Sequence, residues 1–293
     1  MIHFSVIITS LNGEKALPPC LDALFATKWE SFDVIVVDNG STDRTSELVR
    51  SRPDIKLIRS SKNLGFAGGN NLGLKEARGD WVILLNDDTE VYPDWLAALN
   101  KAANEHPEAG ILGCKLLYPG GEVIQHAGGR LEPNGLSKHI GYLEEDRGQY
   151  DEITTCDYVT GAAMAISRKT IDKIGPLDKG FFPIYFEEID YCVQARKAGL
   201  EVLYVPAARV IHHESRTTER YSPGFLYKYH KNRLRFLFKN KTPCQLLGAL
   251  KYEFLWLIRN KPKDTYFPLL KSWLYIIPRI PFLMVKKSAG RPS

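Results

Sequence analysis

Two adjacent carboxylates, Asp87 and Asp88, close an uninterrupted apolar run at residues 81–85. Such a run reads as a strand buried on both faces, as in a parallel sheet. In open α/β sheets ligands collect outside the carboxyl ends of the strands, so the pair lies where a ligand would sit. Paired carboxylates suit a hard divalent cation that also holds phosphate oxygens. The same stretch also reads as a strand end followed by a helix, with Asp88 or Thr89 near its cap and Pro93 in its first turn. A further acid, Asp38, follows the apolar residues 32–37 in VDNGSTD. An acid there can accept hydrogen bonds from a base or a ribose hydroxyl, whereas Asp43 has the surroundings of a turn or helix cap. The glycines Gly65, Gly68, Gly69 and Gly73 suggest a phosphate loop only weakly. They carry no G-x-x-x-x-G-K-[ST] and do not follow the first strand.

The elements that must position these groups alternate in type. Residues 4–9 read as a strand ending in Ser10-Leu11-Asn12-Gly13, and residues 17–25 have helical spacing. A strand at 32–37 and a helix to about Arg50 follow, then a strand at 55–58. The glycine- and asparagine-rich residues 62–73 lead into a helical stretch to Arg78. After the strand at Trp81 come a helix at 93–105 and a strand at 110–117. This alternation predicts a mostly parallel sheet with right-handed crossovers. Residues 118–155 lose it and predict hairpins with a mobile loop around 144–152. An apolar strand at 158–166, interrupted by Gly161, precedes a helix at 186–198 stopped by Gly199. A strand at 202–211 then ends at His212-His213.

Composition narrows the partners. The five cysteines are scattered without C-x-x-C spacing, which argues against a disulfide framework or zinc knuckle and for a reducing cytosol. The opening residues read as a first strand and lack the regions of a signal peptide. Residues 221–293 hold 15 Lys+Arg against two acids, a net of +13, while the first 220 residues hold 24 bases and 32 acids, a net of −8. An acidic body thus carries a basic helical tail. Residues 266–285 are apolar and aromatic, but Lys271, Arg279, Pro268, Pro278 and Pro281 keep any run short of the ~20 residues that cross a bilayer. Basic residues beside aromatics fit helices lying on an anionic membrane surface. The alternative is that they pack on the body and expose their lysines.

Taken in order, SLNG, VDNGSTD, NLGFAGGNNLG, the strand ending in NDD, VTGAAMAISRKTIDKIGPLDKGFF, FEEIDYCVQARKAG and VIHH resemble the family 2 nucleotide-sugar glycosyltransferases over residues 4–213. NLGFAGGNN is most similar to the rhamnosyltransferase-like bacterial members. The resemblance implies the GT-A fold: an α/β, Rossmann-like, mostly parallel sheet flanked by helices. Here that domain would span residues 1–220, with a basic amphipathic helical extension at 221–293. It implies that Thr9, Leu11, Asn12 and Asp38 hold the base and ribose, and that residues 63–71, with Asn63, Gly65 and Asn71, border the nucleotide. Asn86-Asp87-Asp88 matches the D-x-D position, with Asp88 on the metal, Mn2+ or Mg2+, and Asp87 nearer ribose and phosphate. Asn86 replaces the usual first acid. Gly161, Ala162 and Ala163 match a segment lining the donor sugar. His212 matches a histidine completing the metal or pyrophosphate site, and a neutral imidazole beside Asp88 is a reasonable ligand pair. His213 would point to the opposite face, and Arg216 or Thr217 would close over the pyrophosphate. Phe186–Asp190 matches E-D-x-D, whose second acid is the base. That acid is Glu188 here, one methylene longer than Asp, with Asp190 in reserve. Without the resemblance, Glu187 and Glu188 read as acids favouring a helix N-terminus.

The function implied is an inverting, metal-dependent transfer of a sugar, with rhamnose a candidate, from a dTDP-, UDP- or GDP-linked donor to a hydroxyl of a lipid-linked or cell-surface glycan. The work would be done at the cytoplasmic face of the membrane. Competing readings are a nucleotidyltransferase, which the loop after the first strand fits poorly, and a catalytically inactive sugar- or nucleotide-sugar-binding module at the membrane. Nucleic-acid binding through the tail has only its interleaved aromatics in favour and is not expected.

Overall fold

The computed structural model describes residues 1–214, 222–260 and 263–283; Arg216, Thr217 and the expected 220/221 boundary lie outside them. The strands are β1 (Phe4–Ser10), β2 (Phe32–Asp38), β3 (Ile55–Arg59), β4 (Trp81–Asn86), β5 (Thr89–Val91), β6 (Ala109–Leu117), β7 (Ile124–His126), β8 (Gly129–Leu131), β9 (Ser137–His139), β10 (Thr154–Thr155), β11 (Ala163–Ser167) and β12 (Glu201–His212). The helices are α1 (Leu17–Phe25), α2 (Thr45–Arg50), α3 (Gly65–Glu76), α4 (Trp95–Glu105), α5 (Arg168–Ile174), α6 (Glu187–Lys197), α7 (Pro223–Asn240), α8 (Pro243–Asn260) and α9 (Lys263–Ile276). They form two compact units. The first comprises Met1–Arg130, His139–Phe182 and Glu187–Glu214; the second comprises Leu131–Lys138, Pro183–Phe186 and Ser215–Ser293.

The first unit is built on a mixed, mostly parallel sheet in the order β10-β12-β6-β11-β4-β1-β2-β3, with β5 paired to β12 and β7 to β6. β1 is parallel to both β2 and β4, while β11 runs antiparallel between β4 and β6. β4 lies in the middle of this order, and its apolar residues Trp81–Leu85 are all buried, which explains why the run shows no alternation. Helix α1 buries Leu17, Cys20, Leu21 and Leu24, the i, i+3, i+4, i+7 spacing of one helical face. Trp95 opens α4 fully buried, its indole N–H donating to Thr27 Oγ1 at 3.0 Å.

Several local expectations change; one is that α3 begins at Gly65, inside the glycine- and asparagine-rich segment expected to precede a helix. After β4 the chain makes not a helix but the short strand β5, so Thr89 pairs across to His212 instead of capping anything. β11 begins only at Ala163, because the segment before it turns at Gly161–Ala162 and gives its Ala162 carbonyl to Asn86 N. The loop at 144–152 is tied down rather than free. Lys115, buried in β6, sends its ammonium to Asp146 (3.0 Å) and Asp151 (2.6 Å), and Tyr204 Oη donates to Tyr150 O. A buried ammonium needs such partners, and meeting that need anchors the loop.

In the second unit, α7 carries the fully buried Arg233, whose Nη2 and Nη1 reach Glu253 of α8 at 2.6 and 3.0 Å. Arg233 Nη1 also donates to Asn134 O, and Asn134 Nδ2 donates to Glu253 Oε2. Arg233 Nε completes the set on His230 Nδ1. α9 runs through Pro268, an expected break. The ring's fixed φ is compatible with a helix, and the Pro268 carbonyl still accepts from Ser272 Oγ at 2.7 Å.

Candidate functional site

Register places Thr9, Asp38 and Asn86 at one edge of the first unit's sheet. Ser10 lies opposite Asp38 across β1–β2, and Thr9 lies opposite Asn86 across β1–β4. The carboxyl ends of three parallel strands therefore finish level, the edge at which α/β sheets bind ligands. The loop after β1 is fastened to the loop after β2. Asn12, with φ +56°, donates its N–H to Ser41 Oγ and accepts from Thr42 N at 2.9 Å. Gly13 N donates to Thr45 Oγ1, and Glu14 N to Asp43 Oδ2. Asn12 is exposed and Leu11 half-buried on this double loop.

Asp38 is fully buried and spent within the protein. It accepts from Ser41 N at 2.8 Å and from Ser46 Oγ, and Arg59 Nε lies 3.4 Å from Oδ2. Burial alone would raise its pKa, but these hydrogen bonds and the guanidinium outweigh it and hold the carboxyl below its ordinary value. Its observed work is to shape the loop that carries Ser41 and Thr42. Asn71 is likewise engaged elsewhere, since both ends of its amide bond the backbone of Leu177. Asn63 caps Gly65 N at 2.8 Å and borders Asn39. The glycines of α3 serve close packing: a Cβ on Gly69 would stand 2.4 Å from Thr9 Cγ2, and one on Gly73 2.5 Å from Ile7. Gly40, at φ +90°, lets the β2 loop lie on Lys62 and Asn63. Thr9 Oγ1 is held by Asn70 Oδ1 at 3.1 Å.

The acids after β4 diverge in environment. Asp87 Oδ2 accepts from the buried Ser10 Oγ at 2.5 Å. Asp88 Oδ1 is buried and faces His212 Nε2 at 3.2 Å, brought there by the β5–β12 pairing and the His213 N to Asp88 O hydrogen bond. His213 turns away to Glu90 at 2.5 Å. His212 is oriented from behind by Gln125 of β7, whose Oε1 lies 2.6 Å from Nδ1. The amide nitrogen of Gln125 faces His212 O and Glu214 Oε2, so the oxygen is the end that meets the ring. An amide oxygen only accepts, so Nδ1 carries the hydrogen and, in the neutral ring, Nε2 keeps its lone pair. Asn86 Nδ2 stands 3.3 Å from Nε2. A divalent cation fits this donor set of one carboxylate oxygen and one imidazole nitrogen. Among the described residues no group of three or more His, Cys, Asp or Glu is arranged to hold a metal. A cation held by these two groups would leave its remaining positions to phosphate oxygens and water.

Glu187, Glu188 and Asp190 occupy the first turn of α6, with Glu187 and Asp190 buried and Glu188 half-buried. Burial pushes the Glu188 carboxyl up to about 7, against the backbone N–H groups of Glu188 and Ile189, which favour its charged form. Immediately before this turn Tyr185 and Phe186 take φ of +81° and +76°, an uncommon conformation for aromatic residues. Sequence reading missed Gln125, Ser10 and Asn70 as positioning residues. Ser10 had a signal in its place at the end of β1, whereas Gln125 sits in a three-residue strand within a region that shows no periodicity.

A level strand edge on a Rossmann-like sheet, with an acid–imidazole pair, defines an α/β protein of the kind that binds ligands at the carboxyl ends of its strands. The chain belongs to glycosyl transferase family 2, whose family model matches residues 5–175. It is 31% identical over 223 residues to an uncharacterized protein, y4gI, of Sinorhizobium fredii, covering 72% of this chain and 24% of that one. It is 30% identical over 230 residues to the N-acetylglucosaminyl-diphospho-decaprenol L-rhamnosyltransferase of Mycobacterium tuberculosis, covering 70% and 74%. The chain spans about a quarter of the first relative's length. Among solved structures it resembles GalNAc-T7 with UDP, GalNAc and Mn2+ (TM-score 0.65, 18% identity, 82% of this chain and 48% of that one). It also resembles the mannosyltransferase PcManGT of Pyrobaculum calidifontis with GDP-Man and Mn2+ (TM-score 0.60, 17% identity, 98% and 80%). The fold is the GT-A fold.

Proposed function

We propose that the protein is an inverting, divalent-metal-dependent glycosyltransferase that moves a sugar from a nucleoside-diphosphate donor to a hydroxyl of a lipid-linked or growing cell-surface glycan. Rhamnose is the first sugar to test, because a relative is named a rhamnosyltransferase acting on a polyprenyl-linked acceptor. The observation that carries the reading is the Asp88–His212 pair at 3.2 Å, with Gln125 fixing the ring so that Nε2 faces the carboxylate. Asp88 and His212 would hold Mn2+ or Mg2+, which when bound acts as a Lewis acid on the departing diphosphate. Thr9 at the end of β1 and Leu11 and Asn12 on the fastened loops, with Asp87, line the nucleotide side. Gly161 and Ala162, beside Asn86, line the sugar. Asp38 acts by shaping its loop.

Glu188 accepts the proton of the acceptor hydroxyl as that oxygen attacks the anomeric carbon, while the bond to the diphosphate oxygen breaks on the opposite face. A carboxyl pushed up to about 7 suits a general base working near neutral pH. Asp190, buried in the same first turn of α6, is the reserve base. With an acceptor of this class the enzyme works at a membrane surface, which fits the basic tail. The test is turnover of dTDP-, UDP- and GDP-linked sugars on polyprenyl-diphospho-sugar acceptors, with the anomeric configuration of the product read by NMR. The reading predicts inversion and a Mn2+ or Mg2+ requirement; retention of configuration, or no turnover with any donor, would overturn it.

A further inference from the structure

Twelve of the sixteen large apolar side chains exposed among the described residues lie between Leu247 and Phe282, in and just after α8 and α9. The two helices are apolar on two faces. α8 buries Leu246, Ala249 and Glu253 on one side and exposes Leu247, Leu250, Phe254, Leu255 and Ile258 on another. α9 buries Thr265, Pro268, Leu269, Ser272 and Ile276, and exposes Phe267, Leu270 and Leu274. The exposures are large: 71% for Leu247, 64% for Phe254 and 73% for Phe267. Spacings of three and four residues align each exposed set into a stripe. Single exposed apolar residues are ordinary on protein surfaces, but contiguous stripes mark a surface built to be covered.

We infer that these outer faces of α8 and α9 insert into the headgroup–acyl boundary of an anionic lipid surface. This deepens the membrane clause of the proposed function and does not depend on the chemistry at Asp88. Charge selects the occupant. Exposed Lys251 lies within the α8 stripe, and exposed Lys263 and Lys271 lie on α9. Arg259 and Arg279 are also exposed, and Asp264 is the one exposed acid on the two helices; the other, Glu253, is buried against Arg233. A two-fold contact between copies would set this basic face against an identical basic face, whereas anionic headgroups neutralise it. Aromatic residues among the cations strengthen the case. Lys271 Nζ stands 4.6 Å from the Tyr227 ring centroid and the Arg279 guanidinium 3.9 Å from that of Tyr275, and such rings favour the interfacial layer. No described helix is long and apolar enough to cross a membrane, so the helices lie in the surface plane.

The experiment is co-sedimentation of the full chain with phosphatidylcholine vesicles containing phosphatidylglycerol, at low and high salt, with sedimentation velocity in parallel. The wild type should bind, and binding should weaken severalfold in high salt without being lost, because inserted apolar area is not screened. Phe254→Gln with Ile258→Gln, Phe267→Gln and Leu270→Gln should lower partitioning at least ~100-fold, from the loss of several apolar side chains. Lys251→Gln with Lys271→Gln should lose about fivefold per charge, and only on anionic vesicles. Unchanged nucleotide binding in these variants would show an intact first unit. Absence of wild-type vesicle binding, or equal binding by the quadruple variant, would overturn the inference. So would a stable dimer without vesicle binding that the quadruple variant dissociates, since the face would then belong to a second copy. Failure of the wild type to bind nucleotide would count against the donor site and leave this inference standing.

Discussion

The two units each bury charged groups, but to opposite ends. In the second unit Arg233 and Glu253 satisfy one another, and Asn134 and His230 take up further donors and acceptors. That cluster is closed, and the exposed apolar side chains of α8 and α9 lie apart from it. In the first unit Asp88 and His212 face each other across a strand pairing, with Asn86 and Gln125 set around the ring rather than neutralising the carboxylate. Burial of charge alone therefore does not mark a site. The reading proposed for Asp88 and His212 rests instead on a carboxylate oxygen and an imidazole nitrogen, donors that suit a divalent cation.

The comparison breaks most visibly at the base. Glu188→Gln should cut turnover ~10²–10⁴-fold, the usual contribution of a general base, with nucleotide binding by calorimetry unchanged; near wild-type turnover would move the role to Asp190. In the closed cluster, Glu253→Ala leaves Arg233 buried without its counter-ion and should cost about 3–5 kcal/mol in chemical denaturation. Replacing both partners with apolar residues of similar volume should cost far less. Gln125→Leu should weaken Mn2+ binding ~10–100-fold, as loss of an outer hydrogen-bond partner does in other metal sites, without lowering the thermal midpoint to match. The smallest effect is in pH. Glu188 must be ionised to take a proton, so turnover should rise with pH and reach half its plateau near 7, where its carboxyl titrates, and Glu188→Gln should lack that limb.

The sheet was legible because periodicity reports burial directly. The alternation of elements placed β1, β2, β4, β6 and β12 to within a residue or two, and buried strands such as β4 show their position by showing no alternation at all. The region after β6 was less legible. There, single long-range contacts decide the path, as Lys115 does for the loop at 144–152, and a lysine in a strand carries no local sign that two distant aspartates will bury it. The family resemblance singled out Asp88 and His212, but it gave no hint of Gln125, whose function depends on which ring nitrogen it meets. The composition of α3 misled in one respect: its glycines permit contact with β1, so the helix begins inside the segment that reads as a loop. The basic charge of the tail was visible, but its apolar outer faces were not, because a helix wheel does not tell which of two apolar sides is covered.

The most direct test is calorimetric titration of UDP, dTDP and GDP, each with and without Mn2+, into the wild type and Asp88→Ala. The account predicts that one nucleotide binds tightly only with the metal, and that this binding is lost in Asp88→Ala while the variant keeps its fold. Metal-independent binding, or binding that survives in Asp88→Ala, would contradict the assignment of the Asp88–His212 pair.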